Sequence, residues 1–264
     1  MVGRVFAVMN ILFLGDVVAR SGRQVVKDRL PALKEEYSVD FTIVNGENAA
    51  HGKGITLKIY NEFMRAGVNA VTLGNHAFGK RDIYDYLDNN NKIIRPANFP
   101  SSTPGSGYSI VKVDGYKILI INVLGTMFMT ALNSPFEVVD HILVREKGNY
   151  DFAILDVHAE ATSEKLAIAH YFDGKIAIIF GTHTHVQTAD NQILPKGSAY
   201  ITDIGMTGPK NSILGTKIDT IVDKFTKQMP QLFTVADGVV VANAVIFDIN
   251  PDSSKIINIE RVNF

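Results

Sequence analysis

Short apolar runs recur along this chain, and most are followed by an amphipathic stretch with helical spacing. That alternation limits the fold more than any other feature. NILFLGD precedes GRQVVKDRLPALKEEY, FTIVNGEN precedes TLKIYNEFMRAGV, and NAVTLGNH precedes KRDIYDYLDNN. Runs of β-branched and large apolar residues bounded by Gly or polar residues suit buried strands. In the stretches between them, Val25, Val26, Leu30 and Leu33 recur at helical intervals. Pro31 falls inside that helix and predicts an interruption or kink. Strand–helix alternation of this kind predicts a mainly parallel α/β layer.

The middle of the chain changes character. RPANFPSSTPGSG is a Pro/Gly/Ser-rich loop, and YSIVKVDGYKILIINV reads as a hairpin turning at Asp114–Gly115. Alternation resumes with DFAILDVHAE, TSEKLAIAHYF, KIAIIFGTHTH and SAYITDIGM, and the C-terminal segment reads as a hairpin around Asn250 to Ser254. No linker separates the two sets of strands. The expectation is one domain over residues 1–264, with two packed sheets flanked by helices.

At the N-terminus, RVFAVMNILFLG resembles a short signal peptide. Asp16 and Asp28 follow closely, however, and removing the stretch would delete the first strand of the pattern. It is therefore read as a strand and the protein as cytoplasmic. Met9 is a candidate natural start, which makes residues 1–8 an N-terminal extension. No run approaches the ~20 apolar residues of a membrane span, so no membrane association is expected.

The polar residues that end the strands carry the chemistry. Asp16 follows ILFLG, Glu47 and Asn48 follow TIVNG, and Asn75 and His76 follow AVTLG. His158 ends AILDV, and His183 and His185 follow AIIFGT. In an open α/β sheet the carboxyl ends of the strands line one crevice, where ligands bind. Residues i and i+2 of an extended segment point the same way, so His183 and His185 are expected to face that crevice together. The chain has no Cys, which excludes thiolate ligands and disulfides. A metal here must be held by imidazole, carboxylate, amide or water.

Asp16, Glu47, Asn48, Asn75, His158, His183 and His185 are the candidate metal ligands. One zinc takes about four ligands, so seven fit two ions better, with one carboxylate shared. Imidazole disfavours Mg²⁺ and Ca²⁺ and favours iron, manganese or zinc. Two ions ~3.5–4 Å apart form a clamp for phosphoryl displacement and make hydroxide available from bound water.

Together, GDVV, GEN, GNH, DVHAEATSEK, GTHTHVQTAD and ITDIGMTGP resemble the YmdB-like bacterial branch of the calcineurin-type metallophosphoesterases. The similarity runs over nearly the whole chain after Met9. The wider superfamily has Asp-x-His in its first motif and Asp in its second, whereas this chain has Asp16-Val17-Val18 and Glu47-Asn48. The resemblance implies a four-layer α/β/β/α sandwich and hydrolysis of small phosphodiesters, including cyclic nucleotides. It also implies two divalent or trivalent transition-metal ions, iron or manganese ahead of zinc. Asp16, Glu47, Asn48 and His185 would hold one ion. Glu47, Asn75, His158 and His183 would hold the other. His76 resembles the family's catalytic histidine, suited to protonating a leaving alkoxide or stabilising charge on the phosphate.

Two alternatives stand beside that reading: a phosphomonoesterase or nucleotidase using the same site, and a regulatory protein that binds metal and nucleotide or RNA. A net charge of −1 gives no support to a broad RNA-binding surface. Homo-oligomerisation is left open. Arg23, Lys53, Lys80 and Arg81 follow the ligand motifs and are candidates for drawing in an anion. Phe78 is a candidate for base stacking, with core or lid packing the stronger expectation. His51 reads as a solvated loop residue, and His141 and His170 as ordinary helix residues. The loops TMFMTALNSPF and GMTGPKNS are candidate covers for the crevice.

Overall fold

A computed structural model describes residues 8–264. Residues 1–7, most of the expected extension, lie outside the described residues, and from Met9 onward the chain is a strand. In chain order the elements are β1 (Met9–Leu14), β2 (Asp16–Val17), α1 (Ala19–Glu36), β3 (Phe41–Asn45), α2 (Leu57–Arg65) and β4 (Ala70–Thr72). Then come α3 (Tyr84–Leu87), β5 (Ile93–Ile94), β6 (Tyr108–Val113), β7 (Tyr116–Leu124), α4 (Pro135–Arg145), β8 (Phe152–His158) and α5 (Thr162–Phe172). The last are β9 (Ile178–Thr182), β10 (Gln192–Ile193), β11 (Ala199–Ile201), β12 (Met206–Pro209), α6 (Ile218–Lys227), β13 (Val240–Asn250) and β14 (Lys255–Asn263).

The strands form two mixed sheets. One runs β2-β12-β13-β1-β3-β4-β5, with β14 paired to β13, and the other runs β10-β11-β9-β8-β7-β6. Parallel pairs β1·β3, β3·β4, β7·β8 and β8·β9 carry the ligand-bearing strands, while β6·β7, β10·β11, β1·β13 and β13·β14 pair antiparallel.

Strand alternation builds the layers. In β1, Ile11 and Phe13 enter the apolar layer between the sheets, whereas Leu12 and Leu14 face a layer shared with α1 and α2. In β8, Ile154 faces the other sheet, and Ala153, Leu155 and Val157 pack with α4 and α5. Phe13 of the first sheet meets Phe180 of the second at 4.4 Å between ring centroids. The result is helix, sheet, sheet, helix, as expected.

Two local expectations change. Helix α1 continues past Pro31 to Glu36. Pro31 and Lys27, whose carbonyl loses its helical donor, are both solvent-exposed, so water can satisfy that oxygen. The helix expected over KRDIYDYLDNN is only a 3₁₀ turn at Arg81–Ile83 followed by α3. The Asp88-Asn-Asn-Asn run ends it, with Asn89 Nδ2 donating to Asp85 O at 3.0 Å. At the expected hairpin, Asp114 and Gly115 have φ of 47° and 91°, the left-handed pair of a type I′ turn.

Candidate active site

The five ligand-bearing strands divide between the sheets, with β1, β3 and β4 in one and β8 and β9 in the other. The crevice is therefore the shared end of the two packed sheets. Asp16 opens β2, which pairs in parallel with β12 from the ITDIGMTGP segment. Asp16 Oδ2 accepts from the backbone N–H of His183 at 3.1 Å, tying the end of one sheet to the other.

Asp16, Glu47 and His158 are fully buried. Three atoms surround His158 Nε2: Glu47 Oε1 at 3.2 Å, Asn75 Oδ1 at 3.1 Å and His183 Nδ1 at 3.1 Å. Ligating atoms of Glu47, His158 and His183 all lie within 4.8 Å of one another. On the other side of the site, His185 Nε2 lies 3.8 Å from Asp16 Oδ1. Asn48 is buried, and its Nδ2 reaches Gly52 O at 3.5 Å while its Oδ1 has no partner.

The orientation of the histidines does not follow from an extended segment. His183 and His185 have φ of 97° and 62°, in the left-handed region, just past the end of β9. Their convergence is produced by that strained turn rather than by strand alternation, a feature that clusters at functional sites.

Each of the three imidazoles has an oxygen beside its outer nitrogen. His158 Nδ1 meets Thr182 Oγ1 at 2.8 Å, His183 Nε2 meets Glu160 Oε2 at 3.2 Å, and His185 Nδ1 meets Leu214 O at 3.1 Å. In the neutral form a metal needs, donation outward would leave the inner nitrogen with its lone pair facing the site, the arrangement of metal-binding histidines. Asp16 Oδ1 and Asn48 Oδ1 are buried without a hydrogen-bond partner, a costly arrangement unless a cation satisfies them. The donor set is oxygen and imidazole nitrogen, which fits a first-row transition metal.

Electrostatics agree. Burial opposes the charge on Glu47, but His158 and His76 outweigh it and hold the carboxyl well below its ordinary range. Burial raises Asp16. Burial also works against a charged His158, yet Glu47, Asp16 and Asp156 push it up to about 9, whereas burial and then His158 depress His183 to about 3. The metal-free cluster thus takes up one positive charge between two imidazoles and their carboxylates.

A further ring of residues holds these groups, and most of it escapes sequence reasoning. Thr182 Oγ1 donates to Asp156 Oδ1 at 2.7 Å, and Asn45 Oδ1 accepts from the backbone of Glu47 at 3.1 Å. Asp156 has a legible signal, since it lies two residues before His158 on one strand and faces the same way. Lys165 of α5 is 1% exposed and its Nζ binds Asp203 Oδ2 at 2.8 Å. Asp203 also accepts from Thr184 N and Oγ1 at 3.1 and 2.7 Å, fixing the residue between the two histidines.

His76 sits at the margin, its side chain 32% exposed. Its Nδ1 is 3.3 Å from Glu47 Oε1, and its backbone N–H donates to Glu47 Oε2 at 3.0 Å. The other candidates are placed elsewhere. Arg23 is engaged with Ala49 O at 2.6 Å and Glu62 at 3.4 Å. Phe78 packs edge-on against Tyr84 and Phe99. His51 is exposed and lines a cleft of about 760 Å³ beside α1 that includes none of the seven candidate ligands. His141 and His170 are exposed on α4 and α5. GMTGPKNS is no mobile cover, because Met206–Pro209 is the paired strand β12.

Two sheets between two helical layers, with His, Asn and acidic side chains converging at one end, define the metallophosphoesterase class. The chain belongs to the YmdB-like protein family, whose model matches residues 12–262. A 2′,3′-cyclic-nucleotide 2′-phosphodiesterase of Bacillus subtilis (strain 168) is 48% identical over 254 residues, covering 96% of each chain. A novel phosphatase of Mycoplasma pneumoniae has a crystal structure similar at a TM-score of 0.93 and 37% identity, covering 98% of this chain and 94% of that one. The crystal structure of a hypothetical protein from Thermus thermophilus matches at 0.91 and 40%, covering 97% and 99%. This chain is accordingly a phosphoesterase, and its family implies divalent metal ions. Among the described residues no helix is long and apolar enough to cross a membrane.

Proposed function

We propose that this chain is a phosphodiesterase of 2′,3′-cyclic nucleotides or closely related small diesters, working with two transition-metal ions. Asp16, Glu47, Asn48 and His185 would hold one ion, and Glu47, Asn75, His158 and His183 would hold the other. The observation that supports the reading most is the convergence of the three imidazoles: each has one ring nitrogen beside an oxygen and turns the other inward, His158 Nε2 toward Glu47, His185 Nε2 toward Asp16 and His183 Nδ1 toward His158 Nε2. The relative from Bacillus subtilis bears the matching activity in its name. When bound, such an ion pair polarises phosphoryl oxygens and brings the pKa of bound water from ~15.7 toward ~7.

The chain's own residues supply orientation and a proton. Glu47 contacts both the ring and the backbone N–H of His76, which fixes the imidazole at the margin of the site. From there a protonated His76 gives its proton to the leaving ribose oxygen as the phosphorus–oxygen bond breaks, and water supplies the new oxygen.

Metal content per chain, measured on wild type and Glu47→Ala, tests the site, and turnover of 2′,3′-cyclic AMP by His76→Ala tests the role of His76. The expected result is about two ions in wild type, a sharp fall in Glu47→Ala, and a His76→Ala enzyme that keeps its metal but loses ~10²–10⁴ in rate. No transition metal bound after reconstitution would turn the reading to a regulatory nucleotide- or RNA-binding protein. Faster hydrolysis of p-nitrophenyl phosphate than of bis(p-nitrophenyl) phosphate would turn it to a phosphomonoesterase; the relative from Mycoplasma pneumoniae is called a phosphatase.

A further inference from the structure

The segment that follows β7 begins beside the site and is held from both ends. Leu124 is in register with His158, and Gly125 N donates to His158 O at 3.0 Å, so residues 125–133 start at the wall of the crevice. Asn98, fully buried, clamps the two ends of this loop. Its Nδ2 donates to Leu124 O at 2.9 Å and to Asn133 O at 3.2 Å, and its Oδ1 accepts from Leu124 N at 2.9 Å. Glu164, only 8% exposed on α5, locks the first turn by accepting from Thr126 N, Thr126 Oγ1 and Met127 N at 2.8, 2.9 and 3.2 Å.

What this scaffold presents is Phe128. The residue is 86% exposed, and its φ is 62°. A bulky residue other than glycine is a genuine outlier there, and such strain persists only where the surroundings over-determine it. Here they do so with two buried polar side chains, Asn98 in the loop after β5 and Glu164 on α5. Exposed this far, the ring makes little packing contact to offset the strain of its backbone. It also differs from Phe78, whose ring is already engaged by Tyr84 and Phe99.

We infer that Phe128 is a stacking platform for the nucleobase of the substrate. The inference rests on the phosphodiesterase reading above and adds to it how a nucleotide is told from a base-free diester. A phenyl ring has no polar atom with which to read a base edge, and every base has a π-face. The platform therefore favours nucleotides over base-free esters and is tolerant of which base is attached.

The test measures binding and turnover separately. Equilibrium binding of 3′-AMP, 3′-UMP and ribose 3-phosphate is compared for manganese-loaded wild type, Phe128→Ala and Phe128→Trp, with molecular mass in solution measured for each. The expected result is an affinity of Phe128→Ala about tenfold weaker for both nucleotides and unchanged for ribose 3-phosphate, with Phe128→Trp like wild type. Three outcomes overturn the inference. One is unchanged nucleotide affinity in Phe128→Ala, and another is an equal loss for the base-free ligand. The third is a change in molecular mass with affinity intact, which would make Phe128 a contact between copies. Hydrolysis of 2′,3′-cyclic AMP is read in parallel. If wild type shows base-dependent binding but no diester hydrolysis, the phosphodiesterase reading falls while the platform stands.

Discussion

His158 Nδ1 lies 2.8 Å from Thr182 Oγ1, and the hydroxyl in turn lies 2.7 Å from Asp156 Oδ1, all three residues being fully buried. A carboxylate can only accept, so the hydroxyl gives its proton to Asp156 and accepts from Nδ1–H of His158. One tautomer of the neutral ring is thereby selected, with Nε2 free to face a metal ion beside Glu47. Thr182→Val keeps the shape and removes the relay. Manganese affinity is expected to fall ~10–100-fold, as it does when the outer hydrogen-bond partners of metal histidines are removed. Equilibrium dialysis against manganese checks this, and a variant that binds like wild type would show that His158 needs no such partner.

The GNH motif supplies a steric prediction. A Cβ placed on Gly74 would fall on Glu47 Oε2 and His158 Nε2. Gly74→Ala must displace the carboxylate, the imidazole or the strand end, at about 1–3 kcal/mol for overpacking. The expected variant is folded, with its metal content and turnover sharply reduced. Gly52→Ala is the control: its backbone is left-handed, at φ 78°, but a Cβ there meets nothing within 4 Å. It should lose a little stability and no metal. Equal metal loss in both variants would remove the steric argument.

Much of this site was legible in the sequence because polar residues stand out at the ends of apolar runs. Asp16, Glu47, Asn48, Asn75, His158, His183 and His185 could all be named that way, and the structure gathers them at one end of the sandwich. Two packed sheets were expected, but which ligand-bearing strand joins which sheet was not legible, since strand periodicity carries no information on that. Nor was the left-handed turn at His183 and His185, because nothing local distinguishes Gly-Thr-His-Thr-His from an extended continuation of β9. Lys165 was the hardest. In TSEKLAIAHYF it reads as one more charged residue on a helix surface, and only the tertiary approach of Asp203 makes its burial tolerable. Phe128 was visible only as part of a loop, for its exposure depends on Asn98 and Glu164, distant in sequence.

The Lys165–Asp203 pair yields the last prediction. It is buried on both sides, and Asp203 also anchors Thr184 between the two histidines. Replacing one partner leaves a charge buried and unpaired, at ~3–5 kcal/mol. For a chain of this size that corresponds to a fall of about 10 °C in melting temperature. Lys165→Met should show this loss in the presence of chelator, so that metal binding does not contribute. Lys165→Met combined with Asp203→Asn removes both charges, and groups in direct contact are not additive. The double variant should therefore recover part of the stability. It should not recover metal affinity, because Asp203 Oδ2 holds Thr184 while its Oδ1 accepts from Gly205 N at 2.8 Å, and an amide with one oxygen cannot serve both sides. Thermal melts with chelator and manganese titrations of the three proteins separate the two effects. A double variant that regained full metal affinity would reduce Lys165 and Asp203 to a stability device with no hold on the site.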